Sequence, residues 1–295
     1  MKKVILAGGT GFVGKYLKKE YENLGYEVKV IARNHGDLNW LDIAKITGEL
    51  ENSTLLINLA GKTVNCRYNE KNKAEIFSSR TETTEILGEA IKGCKYPPEL
   101  WINSSTATIY RDARDRPMTE EDGDIGTGFS VEVAKKWEQT FHQFEFLATR
   151  QVALRMAIVL GKNGGVIEPF DNLVKFGLGG QQGDGEQMFS WIHIEDLFQI
   201  IRFIESNKHL NGVINCSSPN PINNRAFMET FRNVKNIPFG LPAPSLLLKI
   251  GAVIIGTETE LLLKSRWVLP ERLIQHGFEF KFPTIKKALT DILQK

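Results

Sequence analysis

The chain has 295 residues, of which 42% are hydrophobic and 24% charged, a balance typical of a soluble globular protein with enough apolar residues to build its own core. Its 37 basic and 35 acidic residues leave a net charge of +2, which argues against a general attraction to nucleic acid or to an anionic membrane. The chain is long enough to fold without stapling by disulfides.

Cysteine usage and apolar segments indicate the compartment. Cys66, Cys94 and Cys216 are widely spaced and form no C-x-x-C motif, so we expect free thiols in a reducing, cytoplasmic setting and no metal site. The first residues run straight into a predicted strand, which leaves no room for a signal peptide. The most apolar segment, residues 246–255, is interrupted by Lys249 and is too short to span a bilayer, so we expect a buried helix there and no membrane partner.

The first predicted element is an apolar strand, followed at once by a glycine-rich turn and an amphipathic helix over residues 15–24. The G-x-x-G-x-x-G spacing differs from the G-x-G-x-x-G of many dehydrogenases, but the order of strand, turn and helix is that of a dinucleotide site. The first glycine allows a sharp turn, the second a close approach to a pyrophosphate, and the third close packing of the helix, whose N–H groups then face the phosphates. We assign cofactor contacts in this turn to Gly8, Thr10, Gly11, Phe12, Val13 and Gly14.

The second predicted strand, residues 27–32, ends in Arg33 and Asn34, where the adenosine ribose of a dinucleotide would lie. An NAD-preferring site normally offers an acidic residue there to the ribose hydroxyls. Arg33 instead suits a 2′-phosphate and can stack on adenine, which favours NADP(H) over NAD(H). The alternative interpretation of Arg33 is a solvated charge at a strand end.

Strands and helices continue to alternate up to about residue 160. Strands are predicted over residues 54–58, 100–104 and 151–158, and helices over 70–92 and 129–147; residues 37–51 are poorly patterned, with at most a short strand near Trp40. The alternation predicts an α/β fold with a doubly wound parallel sheet, and residues 1–160 as a Rossmann-type NADP(H)-binding domain. Because ligands bind at the carboxyl ends of such strands, further cofactor contacts are assigned to Asn34, Asn58, Leu59, Ala60, Gly61 and Ser104.

Beyond residue 160 the pattern changes, and we assign residues 161–295 to a mainly helical substrate-side region. Glycine-rich segments 161–165 and 177–185 are either loops that close over a substrate or surface turns. A helix is predicted to begin near residues 191–196 and run to about 204, and a strand within 206–217 is expected to return to the sheet. Further helices are predicted over 223–234, 246–255, 261–276 and 284–293, with residues 245–293 forming a C-terminal domain.

Motifs across almost the whole chain match a known family. They are GGTGFVG at 8–14, INLAG at 57–61, SR at 79–80, WE at 137–138, LR at 154–155, VLG at 159–161, GG at 164–165, GLGG at 177–180, WIHIED at 191–196, VLPERL at 268–273 and GFEF at 277–280. The chain resembles an extended, atypical short-chain dehydrogenase/reductase of the NAD-dependent epimerase/dehydratase superfamily. More narrowly, it is similar to the "epimerase family" subgroup, which carries a short C-terminal domain of unknown function.

The resemblance implies a Rossmann-type domain that binds NADP(H) and a smaller C-terminal part that helps to form a substrate cleft. It also implies a homodimer, through helices equivalent to residues 70–92 and 129–147. The subgroup's own substrate is not established, so the family name is inherited at the level of the fold.

Superfamily chemistry moves a hydride at the nicotinamide C4 and a proton through a Tyr, with a Lys four residues later and a Ser or Thr at the preceding strand end. Ser105 or Thr106 matches the strand-end hydroxyl. The Tyr-x-x-x-Lys motif is missing, because the residues four positions before Lys135 and Lys136 are Val131 and Glu132.

Two other residues are candidate proton donors in place of that Tyr. Tyr110 could enter the cleft, and otherwise packs beneath residues 111–117. His193 is placed on the substrate side, and its alternative role is to cap a helix or order a loop. We therefore assign Ser105, Thr106 and Tyr110 to catalysis.

Arginines and a tryptophan complete the predicted site. Arg80 is assigned to the cofactor, where it could reach a phosphate or a substrate carboxylate, and Arg155 is assigned to the substrate, with a structural carboxylate as the alternative partner. Trp191 and His193 are also placed on the substrate side.

The sequence predicts an NADP(H)-binding oxidoreductase or nucleotide-sugar-type epimerase that acts on a small molecule. The alternative hypothesis is a non-catalytic NADP(H)-binding redox sensor or assembly factor.

Overall fold

The centre of the protein is a six-stranded, wholly parallel sheet. The computed structural model describes residues 2–244 and 263–294. The strands of the sheet are β1 (Lys3–Ala7), β2 (Glu27–Ile31), β3 (Leu55–Asn58), β4 (Leu100–Thr106), β5 (Arg150–Met156) and, after three short strands, β9 (Gly212–Cys216), in the spatial order β2-β1-β3-β4-β5-β9. The predicted parallel α/β sheet is confirmed.

Helices cover both faces of this sheet. The helices of the described residues are α1 (Phe12–Asn23), α2 (Ile43–Leu50), α3 (Glu70–Lys92), α4 (Phe129–His142), α5 (Ile167–Lys175), α6 (Ile194–Ser206), α7 (Asn224–Val234), α8 (Glu271–Gln275) and α9 (Ile285–Gln294), of which α1 to α4 and α6 cover the sheet. One apolar cluster joins α1 and α6 to one face, and a second joins α2, α3 and α4 to the other. The first three residues of each central strand, 55–57 of β3 and 100–102 of β4, are apolar, because both faces of these strands are buried.

The spatial order places a crevice at the carboxyl ends of β1 and β3. Ala7 at the end of β1 pairs with Ile31 of β2 on one side and with Asn58 of β3 on the other. The connection from β1 leads to β2 on one side, and the connection from β3 leads to β4 on the other side. Such a switch point is where parallel α/β sheets bind ligands.

A second layer contains the remaining short strands. Here β6 (Ile158–Leu160) pairs with β8 (Trp191–His193), and β7 (Met188–Phe189) pairs with β10 (Ile222–Asn223). Their apolar cluster includes residues of α5, α7 and α9. The predicted helix over 246–255 lies outside the described residues. Within residues 2–244 and 263–294, no helix is both long and apolar enough to cross a bilayer.

Several element predictions differ from the structure. The short strand expected near Trp40 is a single bridge at Leu38, and the next segment is α2, which was not predicted. Helix α4 ends at His142, short of the predicted residue 147, and the predicted helix over 261–276 is extended or bent chain between residues 264 and 270. The predicted strand over 151–158 is divided into β5 and β6 at Ala157.

Candidate functional site

The turn between β1 and α1 packs tightly against the end of β3. Gly8 has a φ of 77°, and a Cβ atom at this position would lie 2.8 Å from Ala60 N and from Leu59 C. A Cβ atom on Gly14 would lie 2.5 Å from Gly9 Cα. These two positions therefore have space only for hydrogen, which lets the chain fold closely around the crevice.

The first turn of α1 is open to an anion. Its N-cap, Gly11, provides no side-chain cap, and the first turn carries no acidic residue. The backbone N–H groups at a helix start need acceptors, and the helix dipole favours negative charge there. One substrate-side loop reaches this point, since a Cβ atom on Gly164 would lie 2.4 Å from the Phe12 ring.

A buried amide network holds the ends of β3 and β4 together. Asn58 Nδ2 donates to Asn103 Oδ1 at 2.7 Å and to Thr84 Oγ1 at 3.0 Å, and Asn58 Oδ1 accepts from Ala60 N at 3.0 Å. Trp137 Nε1 also donates to Thr84 Oγ1 at 2.9 Å. The cross-links fix the Leu59–Gly61 turn relative to α3 and α4, and this turn forms one wall of the crevice.

Arg33 lies exposed just beyond the end of β2. In the part of the chain that the structure describes, its guanidinium makes no ion pair and donates no hydrogen bond. Asn34 beside it is also exposed. The structure thus leaves this cation available at the place where a dinucleotide ribose is expected.

Arg80 is a largely buried cation beneath the β3 turn. Its guanidinium carbon would lie 3.0 Å from a Cβ atom on Gly61, and it stacks 5.2 Å from the centre of the Trp137 ring. Arg80 Nη1 donates to Ile76 O at 2.9 Å, and no carboxylate among residues 2–244 and 263–294 pairs with it. Burial lowers the pKa of Arg80 to about 10. A buried cation without a counter-ion is costly, so an anionic ligand would be favoured beside it.

The predicted strand-end hydroxyls face different surroundings, because successive side chains of a strand point to opposite faces. Ser105 is buried and donates to Glu138 Oε1 of α4 at 2.5 Å. Thr106 is partly exposed, and its Oγ1 accepts from Thr108 N at 3.1 Å. Ser104 shares the face of Thr106 and is buried. Thr106 is thus the more accessible of the two catalytic candidates on β4.

Tyr110 and Arg155 belong to one buried hydrogen-bonded cluster. Arg155 donates to both carboxylate oxygens of Glu138 at 2.8 Å and, through Nη1, to Tyr110 Oη at 2.9 Å. Tyr110 Oη donates to Asn215 Oδ1 at 2.9 Å. Burial raises the pKa of Tyr110. Arg155 therefore has the structural carboxylate partner that was the alternative prediction, and the Tyr110 hydroxyl points at protein partners.

Trp191 and His193 lie inside the second layer. Trp191 is fully buried, and His193 is 3% exposed. His193 caps α6, where its Nδ1 accepts from Glu195 N at 3.2 Å, and its ring stacks 3.8 Å from the Phe282 ring. His193 therefore occupies the helix-capping position that was the alternative prediction. Both side chains pack against the C-terminal segment.

Helix α4 carries no Tyr-x-x-x-Lys motif in the structure. Val131 is buried, while Lys135 pairs with Glu132 at 3.1 Å and Lys136 donates to Gln139 at 3.1 Å. Both lysines are exposed on the outer side of the helix.

Sequence reasoning missed two charged residues around the crevice. Glu138 was noted only as part of a motif, although a buried Arg155 needs a carboxylate and Glu138 is on the neighbouring helix. Lys62 directly follows the INLAG motif and was not assigned; its position after a strand end was the available signal.

Comparison with protein families decides the classification. Residues 4–217 match the NAD dependent epimerase/dehydratase family, and residues 243–292 match a domain of unknown function, DUF1731. The chain belongs to the NAD dependent epimerase/dehydratase family. The resemblance inferred from the motifs, including the C-terminal domain of unknown function, is therefore confirmed.

Family members of similar length are alike over their full extent. "Epimerase family protein YfhF" of Bacillus subtilis is 32% identical over 302 residues, covering 98% of this chain and 97% of the relative. "Epimerase family protein SAR0825" of Staphylococcus aureus is 31% identical over 303 residues, covering 100% of both.

Two solved family structures share the fold. The human epimerase family protein SDR39U1, solved with NADPH, superposes with a TM-score of 0.90 at 30% identity and 99% coverage of both chains. The nucleoside-diphosphate sugar epimerase from Corynebacterium glutamicum has a TM-score of 0.80 at 26% identity, covering 99% of this chain and 58% of its own.

Proposed function

We propose that this protein binds NADP(H) in the crevice at the carboxyl ends of β1 and β3. The observation that carries the proposal is the Gly8–Gly14 turn, where a Cβ atom at either end would overlap backbone and where the first turn of α1 lacks a side-chain cap. Such a cradle fits a pyrophosphate. Membership of an NAD-dependent family supports the cofactor class, and the NADPH in the human relative supports the phosphorylated form.

Each cofactor contact has a physical reason. The N–H groups at the start of α1 would receive the pyrophosphate, and the exposed guanidinium of Arg33 would hold a 2′-phosphate. The turn Leu59–Gly61 would lie against the cofactor, as its strand end is fixed by Asn58. Arg80, buried beneath this turn, would neutralise a phosphate or a substrate carboxylate.

We further propose that the bound cofactor serves an oxidoreductase or nucleotide-sugar-type epimerase reaction on a small polar molecule. NADP(H) supplies or accepts a hydride at the nicotinamide C4. Thr106 is the residue of this chain best placed to donate a hydrogen bond to a substrate oxygen, because it ends β4 and is partly exposed. In this arrangement Ser105 acts indirectly, through its hydrogen bond to Glu138.

A non-catalytic redox sensor or assembly factor is the second candidate. It is favoured by the absence of a Tyr from α4 and by the burial of Tyr110, which leave the proton donor of ordinary reductases without a clear equivalent. In that case NADP(H) occupancy would change a binding partner. A cytoplasmic location and a homodimer through α3 and α4 stay predictions that accompany either function.

Titration of NADPH and NADH against the wild-type protein and Arg33→Asp tests the cofactor proposal. We expect the wild type to bind NADPH more tightly than NADH, and Arg33→Asp to lose that preference. The matched control is Lys208→Asp, which reverses an exposed charge shortly before β9 begins, at the opposite edge of the sheet. Equal affinity of the wild type for the two cofactors would overturn the NADP(H) assignment.

A turnover screen separates the two functions. Carbonyl compounds and nucleotide sugars would be supplied with NADPH, and oxidation of NADPH followed by absorbance. Turnover that is lost in Thr106→Ala, while NADPH affinity is unchanged, would establish catalysis and exclude the sensor. Activity that survives in Thr106→Ala would remove the role proposed for that hydroxyl.

A further inference from the structure

Lys62 directly follows the β3 turn, and hydrogen bonds to α3 fix its backbone and its ammonium group. It follows Gly61, and its backbone N–H donates to Ser79 Oγ of α3 at 2.8 Å, which fixes the backbone at this point. Its ammonium donates to Asn72 Oδ1 at 2.8 Å and forms an ion pair with Glu75. The side chain of Lys62 is 21% exposed and that of Glu75 is 45% exposed, so the pair lies at the protein surface.

Lys62 and Arg33 emerge on either side of the glycine turn. Strands β2 and β3 flank β1 in the sheet, and Ile31 and Asn58 are both register partners of Ala7. Arg33 follows the end of β2, and Lys62 follows the end of β3, so the two cations leave the same edge of the sheet.

The pKa of Glu75 reflects the positive charges around it. The hydrogen bond from Lys62 lowers the pKa of Glu75, and the positive charges of Lys62, Lys71 and, least of all, Arg33 act in the same direction. Glu75 is therefore an ionised carboxylate that is paired with Lys62.

An uncompensated carboxylate at this place would repel a phosphate. A phosphate monoester carries a charge of roughly −1.5 to −2 at neutral pH, so its interaction with a nearby charge is larger than that of a ribose hydroxyl. Lys62 neutralises Glu75, so the positive charge of Arg33 is not offset by an unpaired carboxylate on this side of the site. The 2′-phosphate adds charge to the dinucleotide, so we expect the pair to affect a 2′-phosphorylated ribose more than an unphosphorylated one.

We propose that Lys62 and Glu75 form a charge-balancing pair that tunes the preference of the site for a 2′-phosphorylated dinucleotide. Lys62 neutralises Glu75 and thereby preserves the attraction between Arg33 and the phosphate. This inference rests on the proposed cofactor site and identifies Lys62 as a specificity-determining residue within it.

Dissociation constants of NADPH and NADH, measured by calorimetry for the wild type, Lys62→Met, Glu75→Gln and the double variant, test the inference. Lys62→Met should weaken NADPH binding about three- to fivefold, the scale of a partly exposed charge interaction, and leave NADH binding unchanged. Glu75→Gln should strengthen NADPH binding about twofold, and the double variant should lie between the two. The control is Lys73→Met, which removes another α3 ion pair, with Glu70.

Two outcomes would contradict this inference and leave the proposed function standing. One is an equal loss of NADPH and NADH affinity in Lys62→Met, which would mean that Lys62 only supports the β3 turn. The other is unchanged NADPH affinity in Lys62→Met when Arg33→Asp reduces it. A wild-type protein that binds neither dinucleotide would instead overturn the proposed function, and this inference with it.

Discussion

Replacing Gly8 with alanine tests the geometry of the cofactor turn against a matched control elsewhere in the fold. Gly8 has a φ of 77°, and its new methyl group would lie 2.8 Å from backbone atoms of Leu59 and Ala60. Gly25 has a nearly identical φ of 78°, but a methyl group there would have no neighbour within 4 Å. The two substitutions therefore share the cost of the backbone conformation and differ in the contact with β3.

The expected magnitudes follow from these two contributions. A left-handed backbone conformation costs an alanine about 1–2 kcal/mol relative to glycine, and this is the whole effect expected for Gly25→Ala. Gly8→Ala adds an overlap with backbone, which costs about 1–3 kcal/mol because atoms of a packed turn must move. We expect Gly8→Ala to lower the free energy of unfolding by about 2–5 kcal/mol.

Urea unfolding followed by tryptophan fluorescence measures the stability difference, and titration with NADPH measures the effect on the site. Gly8→Ala should reduce NADPH affinity at least about tenfold, because the turn must shift where the pyrophosphate approaches, whereas Gly25→Ala should bind NADPH like the wild type. Equal destabilisation by the two variants would refute the inferred contact. Unchanged NADPH affinity in a folded Gly8→Ala protein would refute the role of the turn.

Three further predictions concern the buried polar cluster and the thiols. Arg155→Met leaves Glu138 buried without its partner and should cost about 3 kcal/mol or more in urea unfolding. Burial raises the pKa of Tyr110, so the stability that its protonated hydroxyl contributes is complete below about pH 10 and is lost as the pH rises further. Tyr110→Phe should therefore lessen the loss of stability at alkaline pH in unfolding experiments, without changing NADPH affinity. Reduced NADPH affinity would contradict the placement of Tyr110. Partial burial raises the pKa of Cys94 to about 11, so mass spectrometry should show slower alkylation of Cys94 at pH 8 than of Cys66, which is also partly exposed. Equal rates would contradict the raised pKa of Cys94.

Much of the central fold could be predicted because local patterns and burial agree. Helix α3 has the predicted bounds, since its periodic apolar residues are the ones that pack on the sheet. Helix α2 was missed because it has only eight residues; it depends on capping by Asp42 and on the burial of Ile46 and Leu50. Helix α4 ends before the predicted residue because the chain after His142 is irregular: Phe144 packs into the core, whereas Leu147 is fully exposed.

The site was less predictable than the fold, because its hydrogen bonds join distant parts of the chain. The glycine turn is a local motif and can be recognised without its neighbours. By contrast, the hydroxyl of Tyr110 meets Asn215, and Ser105 meets Glu138. Nothing near Tyr110 or Ser105 in the sequence indicates these partners, which only the packing of β5, β9 and α4 brings together.

Hydrogen exchange with and without NADPH tests the central claim most directly. We predict that NADPH slows exchange at backbone amides of residues 8–14 and 59–61, which form the two walls of the crevice, and leaves α9 (Ile285–Gln294) unchanged. Unchanged exchange at residues 8–14 with saturating NADPH, or protection confined to other parts of the chain, would contradict the account.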